Sequence, residues 1–275
     1  MREGQPSRTA FGAAAHRAAH QVAEGGRVFN DPLALAILGA DASMASGNLD
    51  EPATRSMRMF IAARSRFAED SLAAAVARGV RQYVVLGAGL DTFAYRNPFA
   101  EAGLKVFEVD HPRTQDWKRG QLAYAGLTPP PALTFAPVDF ERQTLADGLA
   151  AAGFDPAAPA FFSWLGVIVY LTRQAVFTTL RYVADLGGEV VFDYGEPVSS
   201  YPLAEQPAHL ARLARMALIG EPWVTRFEPA ALARDLMALG FGVLEDLGPR
   251  QIAERYLGVR RREGPGGHLM RAATS

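Results

Sequence analysis

The chain has 275 residues, 49% apolar and 21% charged, enough to bury roughly three quarters of its unfolded surface in one large core. Lys+Arg 28 against Asp+Glu 29 gives a net charge of −1, so no basic field is present to collect nucleic acid or an anionic membrane. Cysteine is absent, which excludes disulfides and thiolate chemistry. The five histidines, His16, His20, His111, His209 and His268, are scattered with a single i,i+4 pair, and no metal site is expected.

The alanine-rich start, Ala10 to Ala19, is broken by His16 and Arg17 and has no apolar core of signal-peptide type. The longest apolar stretch, Ala157 to Leu171, contains Pro159 and Ser163 and is short for a membrane span, so the cytoplasm is the default expectation. A helix is expected from Thr54 to Arg78. Placed on a wheel at 100° per residue, its Met57, Ile61, Ala68 and Ala75 fall within about 40° of one another and form a buried stripe. Arg64 lies in the middle of that stripe, while Arg66 points to solvent. An inward guanidinium needs a partner, because an unpaired buried charge costs several kcal/mol or more. A ligand carboxylate would satisfy it with a bidentate pair; a protein carboxylate such as Asp91 is the competing partner.

The strand Gln82–Leu86 then runs straight into Gly87-Ala88-Gly89-Leu90-Asp91-Thr92. Glycine has no Cβ and accepts positive φ, so backbone can approach a ligand closely there. The next strand, Lys105–Val109, ends in Glu108-Val109-Asp110, an acidic tip suited to ribose hydroxyls. Together these mark a site for a nucleoside-bearing cofactor; a tight turn without a ligand would use the same glycines, and the acidic tip separates the two readings. A dinucleotide fingerprint would want glycine or alanine at position 92 for close helix-strand packing. Thr92 opposes a nicotinamide enzyme, and Gly87-x-Gly89-x-Asp91 fits the looser turn of enzymes that bind S-adenosylmethionine.

Pro112 can open the following helix. Leu133–Val138 and Ala160–Trp164 read as further buried strands. Thr172 caps a helix over Arg173–Leu186, which Gly187-Gly188 ends, and Glu189–Asp193 is a fifth strand. Strand-helix alternation of this kind argues for an α/β fold, a seven-stranded, mostly parallel sheet with helices on both faces. The ligand then belongs beyond the carboxyl ends of the strands, where Gly87, Gly89, Asp110, Asp139 and Asp193 fall. Pro197, Pro202, Pro207 and Pro222 bracket a helix around Leu210–Ile219, a small cap after the fifth strand. Pro229–Leu239, Phe241–Leu247 and a strand near His268–Ala272 complete the pattern. The expectation is one domain over 1–275, with an N-terminal helical segment at 1–53, a cofactor-binding core at 54–196, a cap at 197–228 and a C-terminal core at 229–275.

Arg64-Ser65-Arg66-Phe67, Leu86-Gly87-Ala88-Gly89-Leu90-Asp91-Thr92-Phe93-Ala94-Tyr95-Arg96 and Phe107-Glu108-Val109-Asp110-His111-Pro112 together resemble the leucine carboxyl methyltransferase family. The likeness is to its bacterial branch, much of it from secondary metabolism, and extends to Ser7-Arg8-Thr9-Ala10, Phe29-Asn30-Asp31-Pro32-Leu33-Ala34 and Gly220-Glu221-Pro222-Trp223. The resemblance implies the class I methyltransferase (Rossmann-like) fold, S-adenosylmethionine as methyl donor and a small-molecule acceptor. By the same resemblance Arg64 grips the donor's methionine carboxylate, and Gly87, Ala88, Gly89 and Asp91 form the turn that lines it. Asp110 holds the ribose with Glu108 as neighbour, and Asp139 and Phe140 contact the adenine. A helix N-cap is the structural alternative for Asp110, and a turn residue for Asp139. Arg17 matches a basic residue that the family carries on its N-terminal helix.

The family usually has a glutamate where Ser163-Trp164-Leu165-Gly166 places Leu165. Losing a charge-assisted hydrogen bond to the donor's ammonium removes roughly 1.5–3 kcal/mol, which opens the alternative of a weakly active or non-catalytic binding module. For the acceptor, Tyr170, Tyr194 and Glu196 follow the fourth and fifth strands and are the candidate pocket residues. No His-Asp pair announces itself as a general base, which favours an acceptor that is a carboxylate or an acidic hydroxyl. Arg212 and Arg215, in the cap, are placed to meet an anionic acceptor, and a solvated helix face is the favoured alternative.

Overall fold

The computed structural model describes residues 8–39, 51–140, 142–218, 220–260 and 263–274; Ser7 and Ile219 lie outside them. Seven strands form a sheet in the order β3-β2-β1-β4-β5-β7-β6: β1 Gln82–Leu86, β2 Lys105–Asp110, β3 Leu133–Pro137, β4 Ala160–Trp164, β5 Glu189–Gly195, β6 Phe241–Leu247 and β7 Gly267–Thr274. The α/β class expected from the alternation is what forms, with β7 running against its neighbours. The chain makes two compact units, one within the described residues up to 159 and one from 160 onward.

In the first unit, helices α1 (Arg8–Glu24) and α2 (Pro52–Ala77) precede β1. All five residues of β1 are buried, as a strand covered on both faces requires. It pairs in parallel with β2, Leu86 opposite Val109, and β2 pairs in parallel with β3, Asp110 opposite Pro137. Helix α3 (Pro112–Tyr124) opens at Pro112, and its cap is His111, whose ring accepts from the Arg113 amide. Asp110 is therefore not the cap of that helix. Helix α4 (Leu145–Ala151) begins with a reciprocal Thr144–Asp147 capping box.

On α2 the expected stripe is largely present: Ile61, Ala68 and Ala75 are buried, and Met57 is partly so. Arg66 reaches solvent and pairs with Asp70 at 2.7 Å. The most deeply buried arginine of the helix is Arg58, 2% exposed. Its Nε and Nη2 donate to the two oxygens of Glu24 on α1 at 2.8 and 2.6 Å. A single-helix wheel sees one buried face, whereas α1 covers a second.

In the second unit, β4 and β5 are parallel, and β7 lies antiparallel to both β5 and β6. Helix α5 (Arg173–Asp185) is capped by the Thr172 hydroxyl, which accepts from the Ala175 amide. Helix α6 (Gln206–Leu218) lies in the segment expected as a cap and has no buried residue; Arg212 and Arg215 on it are exposed. Helix α7 (Pro229–Ala238) is capped by the Glu228 carboxylate, which accepts from the Ala230 and Ala231 amides. No helix among the described residues is long and apolar enough to cross a membrane.

Candidate functional site

The glycine turn leaves the carboxyl end of β1 with Gly87 at φ 67° and Gly89 at φ 49°, backbone that residues with a Cβ rarely adopt. The Gly87 and Ala88 amides donate to Val109 O at 2.8 and 3.1 Å. The Gly89 amide donates to Asp110 Oδ2 at 2.7 Å, and the His111 amide donates to Asp110 Oδ1 at 2.7 Å. The acidic tip of β2 is thus tied directly to the glycine turn. Burial pushes the Asp110 carboxyl up, and those two amides and the Thr114 hydroxyl oppose the shift. With three donors engaged the carboxylate still has acceptor capacity, since it offers about four lone-pair sites. Asp91 serves the turn itself, Oδ1 accepting from the Phe93 amide at 2.8 Å.

Glu108 is placed differently. It is 1% exposed, and Oε2 accepts from Lys118 Nζ, itself 1% exposed, at 2.6 Å. Its Oε1 is buried and has no hydrogen-bond partner among the described residues. Burial pushes the Glu108 carboxyl up to about 7, with the Lys118 ammonium pulling it back down. Glu108 therefore faces α3, a neighbour of Asp110 along the strand with its carboxylate committed to an ion pair. Nothing in the spacing of Glu108 and Lys118 announced that pair.

Arg64 is partly buried on α2 near His16 of α1, whose ring is held below its ordinary value by burial and by the charges of Arg58 and Arg64. Asp139, beyond β3, lies 3.4 Å from the exposed Arg142 guanidinium, and its carbonyl accepts from the Arg142 and Gln143 amides, the turn role that its residue type suggests. Phe140 is 62% exposed.

A buried polar network seats α1 against the glycine turn. Arg17 donates through Nε to Asp31 Oδ2 at 3.0 Å and through Nη2 to Leu90 O at 2.6 Å. The Thr92 hydroxyl donates to Asp31 Oδ2 at 2.8 Å. Arg96 Nε lies 3.7 Å from Asp31 Oδ1, and both Arg96 terminal nitrogens donate to Glu69. A Cβ added at Gly89 would stand 3.1 Å from Ala10 Cβ, so glycine is also what lets α1 approach. Thr92, read from the sequence only as a missing glycine, turns out to carry a specific bond.

The acceptor candidates belong to the second unit. Tyr170 OH accepts from Trp223 Nε1 at 3.2 Å. Tyr194 is 2% exposed; its hydroxyl donates to Asp246 Oδ2 at 2.6 Å, and its ring stacks on His268 at 4.8 Å. His268 Nδ1 lies 3.0 Å from Asp246 Oδ1, and Nε2 lies 3.0 Å from Glu196 Oε1. Burial opposes the imidazolium, but the two carboxylates overcome it and raise the His268 pKa. Tyr194, with its hydroxyl buried beside Asp246, is pushed far above the ordinary phenol value. This histidine-carboxylate cluster escaped the sequence because its members come from β6, β7 and the residue that follows β5. It lines a cavity of about 360 Å³ with Ser200, Gln251 and Glu263. Leu165 is partly buried beside Gly166, whose amide donates to Asp193 Oδ1 at 2.5 Å. Among the described residues, no group of three or more His, Asp or Glu side chains is arranged to hold a metal ion.

The sequence profile of the leucine carboxyl methyltransferases matches residues 10–184, a span that includes every element of the turn and its network. The chain belongs to the leucine carboxyl methyltransferase family. Family relatives include YktD of Bacillus subtilis (strain 168), provisionally named an S-adenosyl-L-methionine-dependent methyltransferase. It is 36% identical over 204 residues, covering 72% of this chain and 66% of YktD. A protein of Mycolicibacterium paratuberculosis (strain ATCC BAA-968 / K-10) with the same provisional name is 34% identical over 207 residues, covering 69% of this chain and 64% of that one. The chain thus spans slightly under two thirds of the length of these relatives. Among solved structures, a provisionally named methyltransferase of Thermobifida fusca YX superposes with a TM-score of 0.56 at 19% identity, covering 100% of this chain and 97% of that one. A DUF574 family protein of Streptomyces avermitilis does so with a TM-score of 0.53 at 15% identity, covering 95% and 97%. At that identity the likeness is one of fold.

Proposed function

We propose that this chain is an S-adenosylmethionine-dependent methyltransferase that acts on an oxygen of a small molecule, a carboxylate or an acidic hydroxyl. The observation that carries the reading is the 2.7 Å bond from the Gly89 amide to Asp110. It holds a carboxylate with unspent acceptor positions at the lip of a glycine turn, the arrangement that suits a vicinal diol. Phe140, exposed three residues beyond the end of β3, offers an aromatic face to a flat base, and Arg64 supplies a fork for a carboxylate. The residues present therefore fit the donor, and the names of the family relatives agree.

Bound there, S-adenosylmethionine supplies an electrophilic methyl group. The chain's own work is to hold and orient, and orientation can contribute roughly 7–11 kcal/mol to such a transfer. On the acceptor side, Tyr194 is committed to Asp246 and is too weak an acid to exchange its proton readily at neutral pH. Glu196, Asp246, Glu263 and His268 are the titratable groups that line the cavity. A carboxylate acceptor is already ionised at neutral pH and needs no base; a hydroxyl requires one within hydrogen-bond reach. The likeness to the bacterial branch supports an acceptor from secondary metabolism. Leu165 favours a second reading, a binding module that is weakly active or inactive.

Calorimetry with S-adenosylmethionine, followed by a mass-spectrometric screen of carboxylic acids and phenols, separates the two. Donor binding with a gain of one methyl on an acceptor oxygen supports the first. Absence of donor binding, with and without acceptors, overturns it.

A further inference from the structure

We propose that Thr92 and Asp31 act as a positioning couple: they fix the glycine turn against α1 and thereby set affinity for the nucleoside-bearing donor. The inference rests on the proposed function. Asp31 is fully buried and lies far from the turn in sequence, yet three side chains converge on it. Arg17 Nε reaches Oδ2 at 3.0 Å and Thr92 Oγ1 reaches the same oxygen at 2.8 Å. Arg96 Nε stands 3.7 Å from the other oxygen, which also accepts from the Leu33 amide at 3.2 Å.

What makes this more than buried ion pairing is where the far ends of these groups go. Arg17 bonds Leu90 O at 2.6 Å with its second arm, so one guanidinium joins Asp31 to the turn's backbone. Thr92 is the turn's last residue, and Arg96 Nε donates to its hydroxyl oxygen at 3.3 Å. Arg96 is in turn clamped to Glu69 on α2. The segment from Gly89 to Thr92 is therefore pinned at three points: the Gly89 amide by Asp110, the Leu90 carbonyl by Arg17 and the Thr92 hydroxyl by Asp31.

A buried polar network is a poor way to gain stability, because well-packed apolar residues often do as well. Its advantage is geometric, since each bond has a direction and a length. Glycines lower the cost of close approach but also leave the turn with the most backbone freedom to lose. An external pin on either side of Asp91 supplies the missing rigidity without adding bulk to the ligand face. Removing one pin should leave the fold standing and loosen the turn.

The test is Thr92→Val, which exchanges the hydroxyl for a methyl of similar size, with Thr92→Ser restoring the hydroxyl. Thr92→Ala covers the case in which valine crowds the site and prevents folding. Two quantities are read: the Kd for S-adenosylmethionine by calorimetry, and peptide-level hydrogen exchange across Gly87–Asp91 in the unliganded protein. The expected result in Thr92→Val is roughly tenfold weaker donor binding, the scale of one lost hydrogen bond to a charged group. Exchange across the turn should be faster while exchange in β1 and β2 is unchanged, and Thr92→Ser should return both readouts close to wild type. Unchanged exchange across the turn overturns the proposal, as does a loss that serine does not rescue. Should the wild-type protein bind no S-adenosylmethionine, the functional reading fails, and the exchange arm still decides whether Thr92 pins the turn.

Discussion

Replacing Lys118 by methionine should expose how the fold tolerates a carboxylate inside β2. Glu108 and Lys118 are each 1% exposed and 2.6 Å apart, and Glu108 Oε1 already lacks a hydrogen-bond partner among the described residues. Lys118→Met keeps most of the aliphatic stem and deletes the charge that pulls the Glu108 pKa down toward 7. Breaking one half of a buried pair costs about 3–5 kcal/mol, which urea unfolding followed by circular dichroism resolves as a fall in midpoint at constant slope.

The pH dependence gives the sharper reading. The folded-state pKa of Glu108 stands above its ordinary value of 4.5. Its contribution to stability is therefore fully present below 4.5 and is lost as pH rises through the folded value. In the wild type that loss levels off above about 7. Without Lys118 the folded pKa moves higher still, so the loss continues, at about 1.4 kcal/mol per pH unit. Between pH 7 and pH 9 the variant should lose about 2 kcal/mol more than wild type, which completes the last part of its own loss just above pH 7. Adding Glu108→Gln should abolish the slope and restore most of the stability, because a pair removed together leaves no buried charge. A Lys118→Met protein within about 1 kcal/mol of wild type at pH 8, with a flat profile to pH 9, would refute the reasoning.

Asp110→Ala removes the acceptor for the Gly89 amide and Arg64→Ala removes the proposed carboxylate grip; each should lower S-adenosylmethionine affinity by about tenfold or more. Arg66→Ala, on the exposed side of α2, should leave it within about twofold, and calorimetry distinguishes the three. Tyr194→Phe strips the donor from Asp246 Oδ2 and should cost about 1–3 kcal/mol in urea unfolding. His268 titrates above its ordinary 6.5 because Asp246 and Glu196 outweigh its burial. Its stabilisation is thus complete below 6.5 and lost as pH rises through the folded value, so His268→Gln should narrow the gap to wild type as pH increases. A gap that stays constant from pH 6 to pH 9 would contradict the ionised cluster.

Elements whose cause is local were legible in the chain. β1 and β4 are nearly continuous apolar runs, broken only by Gln82 and Ser163, because both faces are covered. The Thr172 cap and the Pro112 and Pro229 helix starts follow from the chemistry of single residues. The glycine turn and the acid at the end of β2 were readable for the same reason, since positive φ and a strand-end carboxylate each mark one position. What escaped was set by partners distant in sequence. The burial of Arg58 carries no signal in the sequence because the helix that covers it, α1, leaves no trace in the periodicity of α2. His268 finds Asp246 and Glu196 only because β7 lies between β5 and β6, an order that no spacing in the chain encodes.

Thr92 shows how the two kinds of information combine. A dinucleotide fold would place a small residue at this position, so in the sequence Thr92 excludes one cofactor and says nothing of what its hydroxyl does. The structure supplies the positive reason: a hydroxyl 2.8 Å from a fully buried aspartate that also gathers Arg17. In a packed interior, exchanging that hydroxyl for a hydrogen would leave Asp31 facing two guanidinium groups with one fewer donor and the turn with one fewer tether. A glycine at position 92 would therefore not convert this turn into a dinucleotide site; it would loosen the turn that the rest of the network is built to hold.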